Sequence, residues 1–203
     1  MHIFISGATG LIGGTVAAKA LAAGHRVSGL ARDAGKAAAL EARGIAPVIG
    51  TLNDLDLIAE AARAADATIE AADAEAHFVA RTLVDALAGS GKALIRTSGS
   101  NIVVCPSLVH GAGLGLRRFG PQIPNFIALA QECGAARHIG AGENIWSHVH
   151  VEDLADAYLL ALKHAEAGSF FFVESGEATM RAMAQAIGRL LGHTGEPEPW
   201  SHA

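Results

Sequence analysis

Gly7-Ala8-Thr9-Gly10-Leu11-Ile12-Gly13 is the stretch of this chain with the most explicit chemistry. Its glycines form the pattern G-x-x-G-x-x-G. That spacing serves a tight turn, a backbone able to approach a pyrophosphate, and a helix packed closely on a sheet. The N-terminus of such a helix adds N–H donors and a positive dipole end. A β-branched and aromatic run, residues 3–6, precedes the glycines. Apolar residues at helical spacing follow: Leu11, Ile12, Val16, Ala20 and Leu21. With a second strand at the right distance, the pattern reads as a dinucleotide-binding unit rather than a plain strand-to-helix turn. Gly7, Thr9, Gly10, Leu11, Ile12 and Gly13 are the expected phosphate-side contacts.

The second strand, residues 26–30, leads into Ala31-Arg32. NAD sites of this architecture usually carry Asp or Glu there, bonded to the ribose hydroxyls. A carboxylate would repel a 2′-phosphate, whereas an arginine grips one with paired, charge-assisted donors. NADP(H) is therefore the expected cofactor. NAD is second, because Asp33 also stands within reach of a ribose. Leu52, Ala71 and Pro106, near the ends of the third, fourth and sixth strands, complete the expected cofactor contacts.

These residues need a frame, and the chain supplies a strand–helix alternation. Strands are expected at residues 3–6, 26–30, 47–49, 67–71, 93–97 and 102–105. Helices are expected between them, with Asp33 and Asp54 as N-caps and Gly44 closing the second helix. Apolar strands in this rhythm indicate a parallel sheet covered on both faces. The second half is less regular. Helices are expected at 123–133, 153–163 and 179–191, with short strands at 137–139, 149–151 and 169–173. The expected fold is α/β, a doubly wound parallel Rossmann sheet in a single domain over 1–203. Residues of about 111–147 and 169–203 form its small substrate-binding part.

Composition bounds the partners. The chain has 203 residues and a net charge of −5 with no basic cluster, so no nucleic-acid footprint is present. The apolar runs are too short and broken for a bilayer. Met1-His2-Ile3-Phe4-Ile5 enters a strand directly, without the basic region of a signal peptide, and a cytoplasmic location is expected. Cys105 and Cys133 do not make a disulfide framework. Ten histidines offer one closely spaced pair, His148-x-His150. Without an acidic or cysteine partner nearby, no metal is expected.

The glycine loop with its inner Ala-Thr resembles that of the extended and atypical short-chain dehydrogenase/reductase families, the NAD-dependent epimerase/dehydratase-like proteins. Further matches run nearly the whole length. Gly50-Thr51-Leu52-Asn53-Asp54 resembles their "G-D-L-x-D" segment, with Thr51 in place of the first Asp. Pro106-Ser107-Leu108-Val109-His110-Gly111 resembles "R-P-x-x-V-Y-G". His148-Val149-His150-Val151-Glu152-Asp153-Leu154-Ala155 resembles "F-V-H-V-D-D-L-A". The resemblance implies an oxidoreductase that moves a hydride at a nicotinamide. It also implies a proton-donating tyrosine, a lysine four residues on, and a serine that positions the substrate oxygen. A homodimer is among the partners it implies.

The catalytic pattern is incomplete. Tyr158 is the only tyrosine, and the nearest following lysine, Lys163, is five residues away. Tyr158 reads as a packed aromatic. Ser98 and Ser100 fall where the families carry an active-site serine and are the catalytic candidates. A strand-end turn is the other reading of both. His110 is a further candidate for proton transfer, its pKa being close to neutral. Asn144, Trp146 and His148 read equally well as cleft lining or as a packed loop. Only four residues join the strands at 93–97 and 102–105, whereas a parallel crossover takes a dozen or more. In the resembling families a long segment with the tyrosine helix fills this interval. A segment is therefore expected to be missing between about Ser98 and Ile102, at the Ser100–Asn101 join.

Two functions follow. One is an NAD(P)-dependent oxidoreductase acting on a small carbonyl, alcohol or sugar-nucleotide-like substrate. The other is a non-catalytic NADP(H)-binding redox sensor resembling the NmrA-like proteins, which keep the phosphate loop and lose the Tyr/Lys pair.

Overall fold

Ile3 and Ile5 point to one side of the first strand and Phe4 to the other, and all three are fully buried. A strand buried on both faces needs helices above and below it. The computed structural model, which describes residues 1–97 and 102–200, shows that arrangement. The first half alternates β1 (His2–Ser6), α1 (Leu11–Ala22), β2 (Arg26–Ala31), α2 (Ala34–Glu41), β3 (Ile45–Ile49), α3 (Leu55–Ala64), β4 (Ala67–Glu70), α4 (His77–Leu87) and β5 (Ala93–Thr97). β6 (Ile102–Pro106), β7 (Leu108–His110), α5 (Gln122–Cys133), β8 (Arg137–His138), β9 (Ile145–His150) and α6 (Val151–His164) follow. The chain continues with β10 (Phe170–Val173), β11 (Gly176–Thr179), α7 (Met180–Leu190) and β12 (Glu198–Pro199).

The main sheet has seven parallel strands in the order β10-β6-β5-β4-β1-β2-β3. The strand order reverses between β1 and β4, the place where ligands bind in open α/β sheets. One face packs Val16, Ala17 and Ala20 of α1 and Leu154, Ala155 and Tyr158 of α6 over Ile3, Ile5, Ile95 and Val104. Lys19 of α1 adds an ion pair with Asp156 of α6, N···O 2.7 Å. The other face packs Ile58 and Ala62 of α3 and Val79 and Leu83 of α4 over Phe4 and Leu94.

The regular half follows the apolar pattern closely, and the second half differs from it. Leu108–His110, for which no strand is expected above, is a short strand paired in parallel with β9, which pairs antiparallel with β11. β9 begins at Ile145, so Trp146 and His148 stand on a strand rather than a loop. Phe170–Val173, expected in the small part, is instead the edge strand of the main sheet, paired in parallel with β6. There Phe170 and Phe172 meet edge to face, 4.8 Å between ring centroids, and are 52% and 81% exposed. Asp33 caps α2, accepting from the Lys36 N–H at 2.8 Å. Asp54 does not cap α3, because its carboxylate is drawn back to the Thr51 N–H and hydroxyl, which lower its pKa.

β5 and β6 run parallel, Ile95 opposite Ile102 and Thr97 opposite Val104, which excludes the hairpin that a four-residue link would suit. The link itself lies outside the described residues. With it lie Ser98, Ser100 and the expected break at Ser100–Asn101.

One buried ion pair braces the switch-point edge of the sheet. Glu70 ends β4 and Arg96 lies in β5; their side chains are 1% and 3% exposed, with Arg96 Nε 2.8 Å from Glu70 Oε2. Glu70 also accepts from the Ala72 and Asp73 N–H groups, and an Arg96 Nη donates to the Ala74 carbonyl. The pair thus holds the loop after β4 to the sheet. Removing one partner of such a pair strands a buried charge. Glu70→Ala is expected to lower unfolding free energy by about 3 kcal/mol or more in urea titration, and Glu70→Gln by less. A loss below about 1 kcal/mol for Glu70→Ala would show that the pair does not brace the sheet.

Candidate functional site

A cavity of about 570 Å³ opens at the switch point. Gly7, Thr9 and Gly10 form its floor, Leu30, Arg32 and Lys36 one wall, Leu52, Ala71 and Ala72 another, and Leu116 and Arg117 reach over from the second half. Gly7, Thr9, Gly10, Arg32, Leu52 and Ala71 were expected together from sequence, and the fold brings them together. Leu11, Ile12 and Gly13 lie just behind, in the first turn of α1. Pro106 stands at the end of β6, outside this cavity, since its strand is separated from β1 by β5 and β4.

The turn at Gly7 is built on the absence of side chains. Gly7 has a φ of +91°, and a Cβ there would lie 2.5 Å from the Ala71 carbonyl oxygen. A Cβ on Gly13 would lie 2.4 Å from the Gly7 carbonyl oxygen. Strand, turn and helix therefore touch backbone to backbone. The Gly10 N–H donates to the Gly7 carbonyl at 2.8 Å and closes the turn. Gly10 is the N-cap of α1 and supplies no side-chain cap, so the first-turn N–H groups face the cavity mouth without one.

Among the described residues, the cavity lining holds three cations, Arg32, Lys36 and Arg117, and no carboxylate. Asp33, next to Arg32, spends its carboxylate on the α2 cap. The Thr51 hydroxyl, which stands where the resembling families place an aspartate, donates to Asp54 at 2.9 Å. Lys36 and Arg117 were not expected from sequence. Lys36 could have been found from its place one helical turn after Arg32. Apart from Leu116, the lining residue nearest to Arg117 in sequence is Ala72, 45 residues earlier, and no local signal marks Arg117.

The other candidates separate from this cavity. Tyr158 is fully buried on α6, its hydroxyl bonded to that of Thr97, and burial pushes its pKa far above the ordinary tyrosine value. A phenol so placed has no use for proton transfer near neutral pH. His110 lines a second, largely apolar cavity of about 440 Å³ with Val109, Phe119, Ile123 and Ile127. Its ring stands 5.0 Å from that of His148 and 5.5 Å from that of His150. Burial first, then those two rings, lowers the His110 pKa and favours the neutral imidazole. No group of three His, Cys, Asp or Glu among the described residues could hold a metal ion. No helix among them is long and apolar enough to cross a membrane.

Comparison with known proteins agrees with this geometry. Residues 7–106 match the family model described as NAD(P)H-binding, and residues 92–171 match that of the NAD dependent epimerase/dehydratase family. An uncharacterized protein of Schizosaccharomyces pombe is 30% identical, the match covering 94% of this chain and 81% of the relative. The oxidase ucsJ of Acremonium sp is 27% identical, covering 91% and 77%. The alignment to the fission-yeast protein runs over 244 residues, more than the 203 of this chain, so that relative carries interior residues with no counterpart here. A nucleoside-diphosphate-sugar epimerase from Pseudomonas aeruginosa superposes with a TM-score of 0.79 at 16% identity, covering 99% of this chain and 80% of its own. A UDP-glucose 4-epimerase from Thermotoga maritima gives 0.77 at 14%, covering 100% and 86%. At those identities the likeness is one of fold. By sequence and by fold, this chain belongs to the NAD(P)-binding, epimerase/dehydratase-type branch of the short-chain dehydrogenase/reductase superfamily.

Proposed function

We propose that the protein binds NADP(H) in the switch-point cavity and works as an oxidoreductase on a small carbonyl or alcohol, sugar-nucleotide-like molecules included. The observation that carries this reading is the cavity wall: three cations, no carboxylate, and a glycine floor. The residues fit the group. A Cβ at Gly7 or Gly13 would collide with backbone, so the loop leaves its open side to a pyrophosphate. Arg32 and Lys36 suit a 2′-phosphate, and Leu52 an adenine face. The capping of α2 by Asp33 takes from NAD the carboxylate that would have held its ribose. When bound, the nicotinamide supplies the hydride chemistry.

The apolar cavity around His110 is the proposed substrate space. A single segment, residues 111–120, lines both cavities, with Leu116 and Arg117 on one and Gly111, Phe119 and Gly120 on the other. The His110 ring is the described group best placed to exchange a proton there. The oxidase among the relatives is in keeping with redox chemistry. Two unpaired cysteines, Cys105 and Cys133, suit the reducing cytoplasm, which we take as its compartment. One observation favours the second reading, a redox sensor without turnover: the sole tyrosine is sealed in the core and no Tyr-x-x-x-Lys pair is present.

Titration of reduced-nicotinamide fluorescence tests the cofactor. Arg32→Ala is expected to weaken NADPH binding about tenfold to a hundredfold, as loss of a charge-assisted pair does, and to leave NADH binding unchanged. Equal losses for both would refute the NADP assignment. Single-turnover oxidation of bound NADPH across a panel of carbonyl compounds separates enzyme from sensor. Turnover is expected, and Tyr158→Phe is expected to keep it within about twofold. Tight NADPH binding with no turnover across the panel would establish the sensor.

A further inference from the structure

Residues 111–120 do more than pass between β7 and α5. Thr15 of α1 is fully buried, and its hydroxyl donates to the Leu11 carbonyl at 2.7 Å while accepting from the Leu114 N–H at 3.1 Å. Arg43, just past α2, donates to the Leu114 carbonyl at 2.8 Å. The Gly113 N–H donates to the Arg118 carbonyl at 2.7 Å and closes the segment on itself. The segment is thus a strap pinned across the opening of α1 from two helices.

Its crossing point has no room for a side chain. A Cβ on Gly115 would lie 2.6 Å from Gly14 Cα, and a Cβ on Gly14 would lie 2.9 Å from Gly115 Cα. Two glycines from distant parts of the chain meet backbone to backbone, directly after the phosphate loop. Directly after this contact, Leu116 packs on the core and Arg117 enters the cavity wall. The Arg117 guanidinium is steadied through Nε, which donates to the Phe119 carbonyl at 3.1 Å. Among the described residues, no other acceptor meets its remaining N–H groups.

We propose that the strap is part of the cofactor site, held down by the Gly14–Gly115 contact so that Arg117 pairs with the diphosphate of the bound dinucleotide. Arg32 and Lys36, on β2 and α2, answer to the adenosine end. Arg117 is carried by the strap over the first turn of α1, where Gly115 meets Gly14 and Gly10, and the diphosphate of a nucleotide seated on Gly7 and Gly10 lies at that turn. The strap thereby links occupancy of the nucleotide cavity to the wall of the His110 cavity. This inference rests on the dinucleotide reading above.

The test compares NADPH and NADH on the full chain by calorimetry and reduced-nicotinamide fluorescence. Because both carry the diphosphate, Arg117→Ala is expected to weaken both by the same factor, about tenfold, with the melting temperature of the free protein unchanged. Arg117→Lys is expected to recover part of the loss, and Gly115→Val, which lifts the strap, to reproduce it. Unchanged affinity of Arg117→Ala for both cofactors would overturn the proposal, as would a loss confined to NADPH, which would give Arg117 to the 2′-phosphate. In either case Arg32→Ala still reports on the dinucleotide reading. Failure of the unsubstituted protein to bind either cofactor would reject that reading and this one with it.

Discussion

The backbone contact among β1, the Gly7 turn and α1 is the constraint on which the rest of the molecule depends. Gly7 sits against the Ala71 carbonyl and Gly13 against the Gly7 carbonyl, each where a single methyl would not fit. This draws α1 down on the sheet at the point where strand order reverses. It also aims the uncapped first turn of the helix at the cavity. Gly14 repeats the device one residue on, toward the outside, and admits the strap. A run of glycines in one helical turn thus sets the floor of the cavity and the position of its cover.

The burial pattern explains why this geometry is stiff. The two apolar layers meet the sheet through alternating residues, and α1 is tied to α6 by packing and by Lys19. On the other side, Glu70 and Arg96 join β4 to β5 and to the loop that follows β4. The cavity therefore lies between a strand-to-helix turn fixed by sterics and a strand-to-loop turn fixed by charge. The cations on its rim are exposed, where solvent screens them until a ligand displaces water.

Much of this was legible in the sequence. The glycine spacing, the Ala31-Arg32 ending of β2 and the strand–helix rhythm are local patterns, and local patterns survive without knowledge of the fold. The first nine elements follow them to within a few residues. What was hidden is what depends on distant partners. Arg117 reaches the cavity only because Gly14 and Gly115 let two backbones cross. Leu108–His110 looks like a turn until β9 pairs with it, and Phe170–Val173 joins the main sheet only because β6 lies open beside it. Tyr158 was readable as a packed aromatic, but its complete burial and its bond to Thr97 belong to the packing of α6 on β5. Asp54 stands in a capping position, yet the Thr51 donors claim its carboxylate first.

The outer edge of the main sheet carries a different consequence. Among the described residues, β10 leaves one side of its backbone unpaired and offers Phe170 and Phe172 to water. A short edge strand without a charged residue, a proline or a bulge has little to discourage another strand from adding to it. Such an edge accepts a further strand, one from a second copy of the chain included. Phe170 and Phe172 line neither the glycine-floored cavity nor the His110 cavity, so a lysine on that edge would discourage strand addition without entering either.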